Sequence, residues 1–214
     1  MFHYEYVKKK EWKPIRDNLE EMIHDVQNRM REDNVFTFQY HFIGSSSRNM
    51  ITCDFSTNKG FDFDVDLEPN DDDENYSPQE IKELFIRYFN QVAYSYGYNC
   101  CAENSTRVIT IKFVDRRTCR VIHSVDFAII YHCSKEYVQY IHFNKDDGSY
   151  QWKRRKNSKH VEEKANWICS NGYRKDLEDL YLDKKNYNED IKKKSRSLYA
   201  EAVKEIYDYY NGGK

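Results

Sequence analysis

Hydrophobic and polar positions switch between two periods along the chain, and the switches mark its elements. From Trp12 to Arg31, Ile15, Leu19, Met22, Ile23, Val26 and Met30 recur at helical spacing with charges between them, which predicts an amphipathic helix. His24 falls on its polar side and reads as a surface histidine. Val35 to Ile43 alternates, with Phe36, Phe38, Tyr40 and Phe42 on one side, a strand ended by Gly44. Ser45 to Asn49 reads as a short helix, and Asp54 to Lys59 as a loop. Phe61 to Leu67 alternates again, and Pro69 is expected to end that strand. Ser77-Pro78-Gln79-Glu80 is a capping box with proline at the first helical position. The stripe Ile81, Leu84, Phe85, Tyr88, Phe89 and Val92 carries the helix to about Tyr94, and Gly97 stops it.

Arg107–Val114 and Cys119–Tyr131 read as strands, and their short link predicts an antiparallel hairpin. Tyr137–Phe143 follows, with Asp146-Asp147-Gly148 turning into Tyr150-Gln151-Trp152. The basic run Lys153-Arg154-Arg155-Lys156 reads as a solvated linker or as a contact surface for phosphates. From His160 onward the spacing is helical in three short pieces, the first ended by Asn171-Gly172 and the last by Gly212-Gly213. The expected fold is α+β, a sheet flanked by helices. A core over residues 1–156 would be followed by a small C-terminal helical lobe over residues 157–214.

Composition narrows the class. Hydrophobics at 39% with nineteen Tyr and twelve Phe support a packed core rather than disorder. A net charge of −2 gives no global field for nucleic acid, so any polyanion must be met by a local patch. No apolar run is long enough for a membrane span, and Met1-Phe2-His3-Tyr4-Glu5 has no signal-peptide pattern. The six cysteines form no Cys-x-x-Cys pair, which predicts a reduced, cytoplasmic protein; Cys133 beside His132 is a poor start for a zinc site. The acidic turn Asp71-Asp72-Asp73-Glu74 lacks the spacing and glycine of a calcium loop and reads as solvated.

The chemistry lies in Phe61-Asp62-Phe63-Asp64-Val65-Asp66-Leu67. Period two puts three aspartates on one face and the apolar residues on the other. Carboxylates this close raise one another's pKa unless a cation sits among them, and strands disfavour aspartate. Hard oxygen donors in that density point to Mg²⁺ or Mn²⁺. Asp126, in Ser124-Val125-Asp126-Phe127-Ala128-Ile129-Ile130, is a lone acid in an apolar strand and costly to bury unless paired or metal-bound. If the two strands are neighbours, the carboxylates converge. The competing reading is an edge strand whose charges block aggregation. Gly44-Ser45-Ser46-Ser47 after a strand offers N–H groups and hydroxyls to a phosphate.

In that order, strand, Gly-Ser, Asp-x-Asp strand and later Asp strand resemble the DNA polymerase β-like nucleotidyltransferase superfamily. The resemblance runs from about Phe36 to Tyr131 and is greatest to the branch of cyclic GMP-AMP synthase, oligoadenylate synthase and the bacterial cyclic-oligonucleotide synthases. The chain departs from the pattern after Gly-Ser, where Ser47-Arg48-Asn49-Met50 replace the usual second glycine and threonine. The resemblance implies a mixed, mostly antiparallel sheet and transfer of a nucleoside monophosphate from a nucleoside triphosphate, ATP first among them, to a hydroxyl, with release of pyrophosphate. It implies Asp62, Asp64 and Asp126 as catalytic metal ligands, with Asp64 and Asp66 as the alternative pair, and Gly44, Ser45 and Ser46 as the phosphate-binding turn. The acceptor stays open, with a nucleotide and RNA among the candidates. The alternative function is a catalytically inactive nucleotide-binding or antitoxin-like module of the same fold.

Overall fold

The computed structural model describes residues 2–71, 74–134, 136–156, 159–190 and 192–212. Asp72 and Asp73 of the acidic turn, and Gly213, lie outside them. In chain order the elements are β1 (Tyr4–Tyr6), α1 (Lys9–Glu32), β2 (Thr37–Ile43), α2 (Gly44–Ser47), β3 (Thr52–Asp54), β4 (Phe61–Asn70), α3 (Pro78–Val92), β5 (Glu103–Asn104), β6 (Ile109–Asp115), β7 (Arg120–His132), β8 (Tyr137–Phe143), β9 (Tyr150–Lys156), α4 (Lys159–Ser170), α5 (Arg174–Asn186) and α6 (Ser195–Asn211).

A seven-stranded sheet runs β2-β4-β7-β6-β5, and the hairpin β8–β9 continues from the far end of β7. The pairing of β4 with β7 is parallel, while the sheet's other pairs are antiparallel. The chain therefore has the mixed, mostly antiparallel α+β fold that the patterning and the resemblance predict. One face of the sheet is dry. Phe63, Val65 and Leu67 of β4 and Val125 and Phe127 of β7 are fully buried in one cluster with Leu19, Met22 and Ile23 of α1 and Phe85 and Phe89 of α3. Phe89 stacks on Phe127 with centroids 4.2 Å apart. The Ser77–Glu80 capping box forms as the sequence indicates, and a short 3-10 turn carries the chain from α3 to Gly97, which is left-handed at φ 85°. No helix of the described residues is long and apolar enough to cross a membrane.

Three expectations need correction. Pro69 does not end its strand: β4 runs to Asn70 with Pro69 opposite Phe38. Pairing to β7 stops at Leu67, so a missing N–H at residue 69 costs no bond on that side. The basic run is no linker, since Lys153 to Lys156 complete β9 against β8. The stretch read as a loop also begins inside a strand, because β3 ends at Asp54 and pairs with β1.

That small two-stranded sheet ties the N-terminus to the helices. Helices α4 to α6 pack round a second apolar cluster that includes Ile168, Leu177, Leu198 and Ala202, and Met50 and Tyr6 reach into it. The Asn186 side chain holds Tyr4 on both sides, accepting from its N–H (2.6 Å) and donating to its carbonyl (3.1 Å). Asn186→Ala would leave both backbone groups of Tyr4 without partners. It is expected to cost about 1–2 kcal/mol, read as a lower midpoint in urea unfolding with an unchanged m-value.

Candidate active site

The wet face of the sheet looks into a cleft of about 1110 Å³ walled on the far side by α4, α5 and α6. Asp62, Asp64, Asp66 and Asp126 all line it. The reason is local. Period two sends the β4 aspartates to the face away from Phe63, Val65 and Leu67, and the parallel register sets Asp64 directly opposite Asp126 and Asp62 opposite Ser124. Asp66 faces Ala128 on one side and His41 on the other. The edge-strand reading fails, because β4 is paired on both sides.

Enclosure and like charge act together on Asp64. Burial, then the carboxylates of Asp126, Asp62 and Asp66, push its pKa up to about 7, with Arg48 opposing. Asp126 is raised mainly by burial, although Thr110 donates to its Oδ1 at 2.5 Å. Asp62 stands exposed at the cleft mouth and accepts from the Ser124 hydroxyl; enclosure by the cleft walls still raises its pKa. Asp66 is 7% exposed, its Oδ1 has no hydrogen-bond partner, and Arg155 Nη2 lies 3.8 Å from its Oδ2.

Gly44 ends β2 beside this cluster. It is left-handed (φ 66°), and a Cβ built on it would stand 2.5 Å from Asp64 Oδ2. Glycine is required here twice over, by the backbone conformation and by the carboxylate. Gly44 and Ser45 line the cleft. Ser46 does not join them: it is fully buried, and its hydroxyl donates to the Ile43 carbonyl at 2.8 Å.

Cations that sequence reasoning missed face the acids. Lys185 on α5 is 7% exposed, donates to Thr52 Oγ1 at 2.5 Å and lies 3.9 Å from the Tyr4 ring centroid. Burial pulls its ammonium down to about 8 against the opposing charge of Asp62. Its signal was available, since Leu177, Tyr181 and Lys185 recur every four residues on the buried stripe of α5. Arg48, which marks the departure from the family pattern, sits 3.8 Å over the Tyr199 ring, and its Nε is buried without a partner. His132 Nδ1 contacts Glu68 at 3.0 Å and the Cys133 thiol turns to the Tyr131 carbonyl, so that pair holds no zinc-like arrangement. All six cysteines are free.

The fit to a divalent cation is good in chemistry and incomplete in arrangement. The donors are all oxygen, as hard cations require. Burial and the neighbouring carboxylates raise the pKa of Asp64 despite Arg48, an excess of negative charge that a cation would relieve. Yet among the described residues no three His, Cys, Asp or Glu groups are arranged to hold a metal. Asp62 and Asp126 are each turned to a neighbouring hydroxyl instead.

The fold is similar to that of DncV structures, and here the acids, Gly44 and Ser45 line the cleft. Among solved structures it is similar to Escherichia coli DncV in its 3′-deoxy GTP bound form, with a TM-score of 0.58 and 16% identity over 94% of this chain and 54% of that one. It is equally similar to Vibrio cholerae DncV cyclic AMP-GMP synthase in complex with nonhydrolyzable GTP, with a TM-score of 0.58 and 17% identity over 80% and 46% of the two chains. A further V. cholerae DncV structure, described as a prokaryotic cGAS homolog, gives 0.54 and 18% over 80% and 45%. The chain spans about half the length of these structures. No protein-family model and no curated protein matches the sequence.

Proposed function

We propose that this protein is a nucleotidyltransferase that moves a nucleoside monophosphate from a nucleoside triphosphate, ATP first among them, to a hydroxyl acceptor. The observation that carries this reading is the register of two strands far apart in sequence, which sets Asp64 opposite Asp126 within one cleft, next to Gly44. Asp62, Asp64 and Asp126 would hold Mg²⁺ or Mn²⁺. That set is favoured over one built on Asp66, which lies across from Ala128 and next to Arg155.

Gly44 and Ser45 present backbone to the triphosphate beside Asp64, whose carboxylate a side chain at residue 44 would displace. Arg48, just after the Gly44–Ser47 turn, and Lys185, on α5 across the cleft, offset phosphate charge. Asp126 Oδ1 is engaged by Thr110, which leaves Oδ2 to accept the proton of the attacking hydroxyl. Bound divalent cations would neutralise the triphosphate and the departing pyrophosphate and lower the pKa of that hydroxyl. Asp64, Asp66 and Asp126 are half-buried or buried between the sheet and the α4–α6 wall, so their charges act at reduced dielectric.

One observation favours the second reading, a nucleotide-binding module without chemistry: Asp62 and Asp126 are turned to hydroxyls rather than toward a shared point. Calorimetric titration with ATP and Mn²⁺, followed by a pyrophosphate assay and mass spectrometry of products from each nucleoside triphosphate, separates the two. Pyrophosphate release is the expected result; binding without release would leave only the module.

A further inference from the structure

One face of the β8–β9 hairpin continues the cleft wall. Val138 and Arg155 are register partners and both line the cleft. One step further out, about 6.7 Å along the strands, the partners are Tyr140 and Lys153, and beyond them His142 and Gln151. The opposite face of the hairpin is spoken for, with Ile141, Trp152 and Tyr150 packed on the core. On the open face the Arg107 guanidinium lies 5.4 Å from the Tyr140 ring centroid, and the His142 ring centroid is 6.4 Å from that of Tyr140. The charges round His142 are all positive: Lys153, Arg107 and Lys82. Among the described residues neither Lys153 nor Arg107 makes an ion pair. The hairpin's own acids, Asp146 and Asp147, sit in its tip turn, where Asp147 accepts the Ser149 N–H.

We infer that this strip, Arg155, Lys153, Tyr140, Arg107 and His142, is a track for a single-stranded oligonucleotide whose 3′ end enters the cleft. The inference rests on the nucleotidyltransferase reading for the fate of that end, and on the strip alone for the binding. A merely solvated basic strand would carry cations without rings between them. Here a half-buried tyrosine lies between an arginine and a lysine, the combination that binds a phosphate backbone and stacks a base. In a chain of net charge −2 a polyanion must be met by a local patch, and Arg155, Lys153 and Arg107 supply one along this hairpin. Duplexes fit less well, since their bases are already stacked and unavailable to Tyr140. In the transfer step the 3′-hydroxyl oxygen bonds to the α-phosphorus of the triphosphate and the bond from that phosphorus to the α–β bridging oxygen breaks. Pyrophosphate leaves, and the hydroxyl proton passes to Asp126 Oδ2.

The test is fluorescence anisotropy of the full chain with a 5′-labelled single-stranded RNA of about ten nucleotides. The same RNA as a duplex, and anionic phospholipid vesicles, serve as competitors. Tyr140→Leu keeps apolar cover but removes the ring and is expected to weaken binding about tenfold or more, while Tyr140→Phe restores it. Lys153→Ala with Arg107→Ala should lower the slope of log affinity against log salt by about 1.4, at about 0.7 per cation. In the wild type the RNA 3′ end should be extended, and the strip variants should lose that extension while still using a mononucleotide acceptor. No RNA binding, binding indifferent to these substitutions, or preference for vesicles or duplex overturns the track. Transfer to a mononucleotide but never to RNA overturns it and leaves the proposed activity intact. RNA binding that depends on the strip, with no pyrophosphate from any acceptor, sinks the proposed activity and leaves the track standing.

Discussion

Asp64→Asn is expected to lower divalent-dependent nucleotide turnover by about 10³-fold and, in the same molecule, to stabilise the metal-free fold at neutral pH. The first effect follows from removing the carboxylate at the centre of the cluster, where charge neutralisation is worth several kcal/mol at about 1.4 kcal/mol per tenfold. The second follows from the pKa of about 7 that burial and the flanking carboxylates impose on Asp64, against 3.8 for an ordinary aspartate. Between those values the native state holds a proton that the unfolded state has released, so raising the pH through the window takes the proton from the native state alone and lowers stability. Above about 7 both states are ionised and the penalty is constant. Denaturant unfolding in chelator should therefore show stability falling from pH 4 to 7 and then levelling. Asparagine should make the slope shallower, though not flat, because Asp62, Asp66 and Asp126 are raised too. Unchanged turnover would remove Asp64 from the machinery. An identical slope in both proteins would contradict the buried-charge account.

Gly44→Ala should fail in two separable ways. The left-handed backbone at φ 66° costs an alanine about 1 kcal/mol of stability. The added Cβ also meets Asp64 Oδ2 at 2.5 Å, so the carboxylate must move, and a displacement of about 1 Å can cost about 10²-fold in rate. Gly148→Ala is the control: it is also left-handed, at φ 73°, but a Cβ there meets nothing within 4 Å. Both variants should lose similar stability, and only Gly44→Ala should lose turnover. Equal turnover in the two would show that the contact with Asp64 has no catalytic consequence.

Much of the fold and of the acidic cluster is legible in the sequence. The helical stripe of α1, the capping box at Ser77 and the alternation in β2 and β4 are local patterns, and local patterns survive because every neighbouring residue agrees with them. Pro69 misled because a proline breaks a strand only where its missing N–H would have been used, and which side of β4 is paired at that residue is a property of the sheet. Ser46 looked like its neighbours on paper, yet one turn of backbone rotates it into the protein. Arg48 was hidden for the opposite reason: a charged residue reads as solvent-facing until a partner, here Tyr199, is known to cover it, and for Lys185 the same charge masked its place on the buried stripe of α5.

The sequence by itself determined that three aspartates share one face of a strand and that Gly44 ends the strand before them. Side-chain alternation follows from backbone geometry alone. Only the tertiary structure decided that Asp64 meets Asp126 rather than slipping by a residue, and that a basic hairpin extends the same wall. Register between strands some sixty positions apart is set by the apolar face they bury together, and a slip of one would have turned Phe127 toward water and Asp126 into the core.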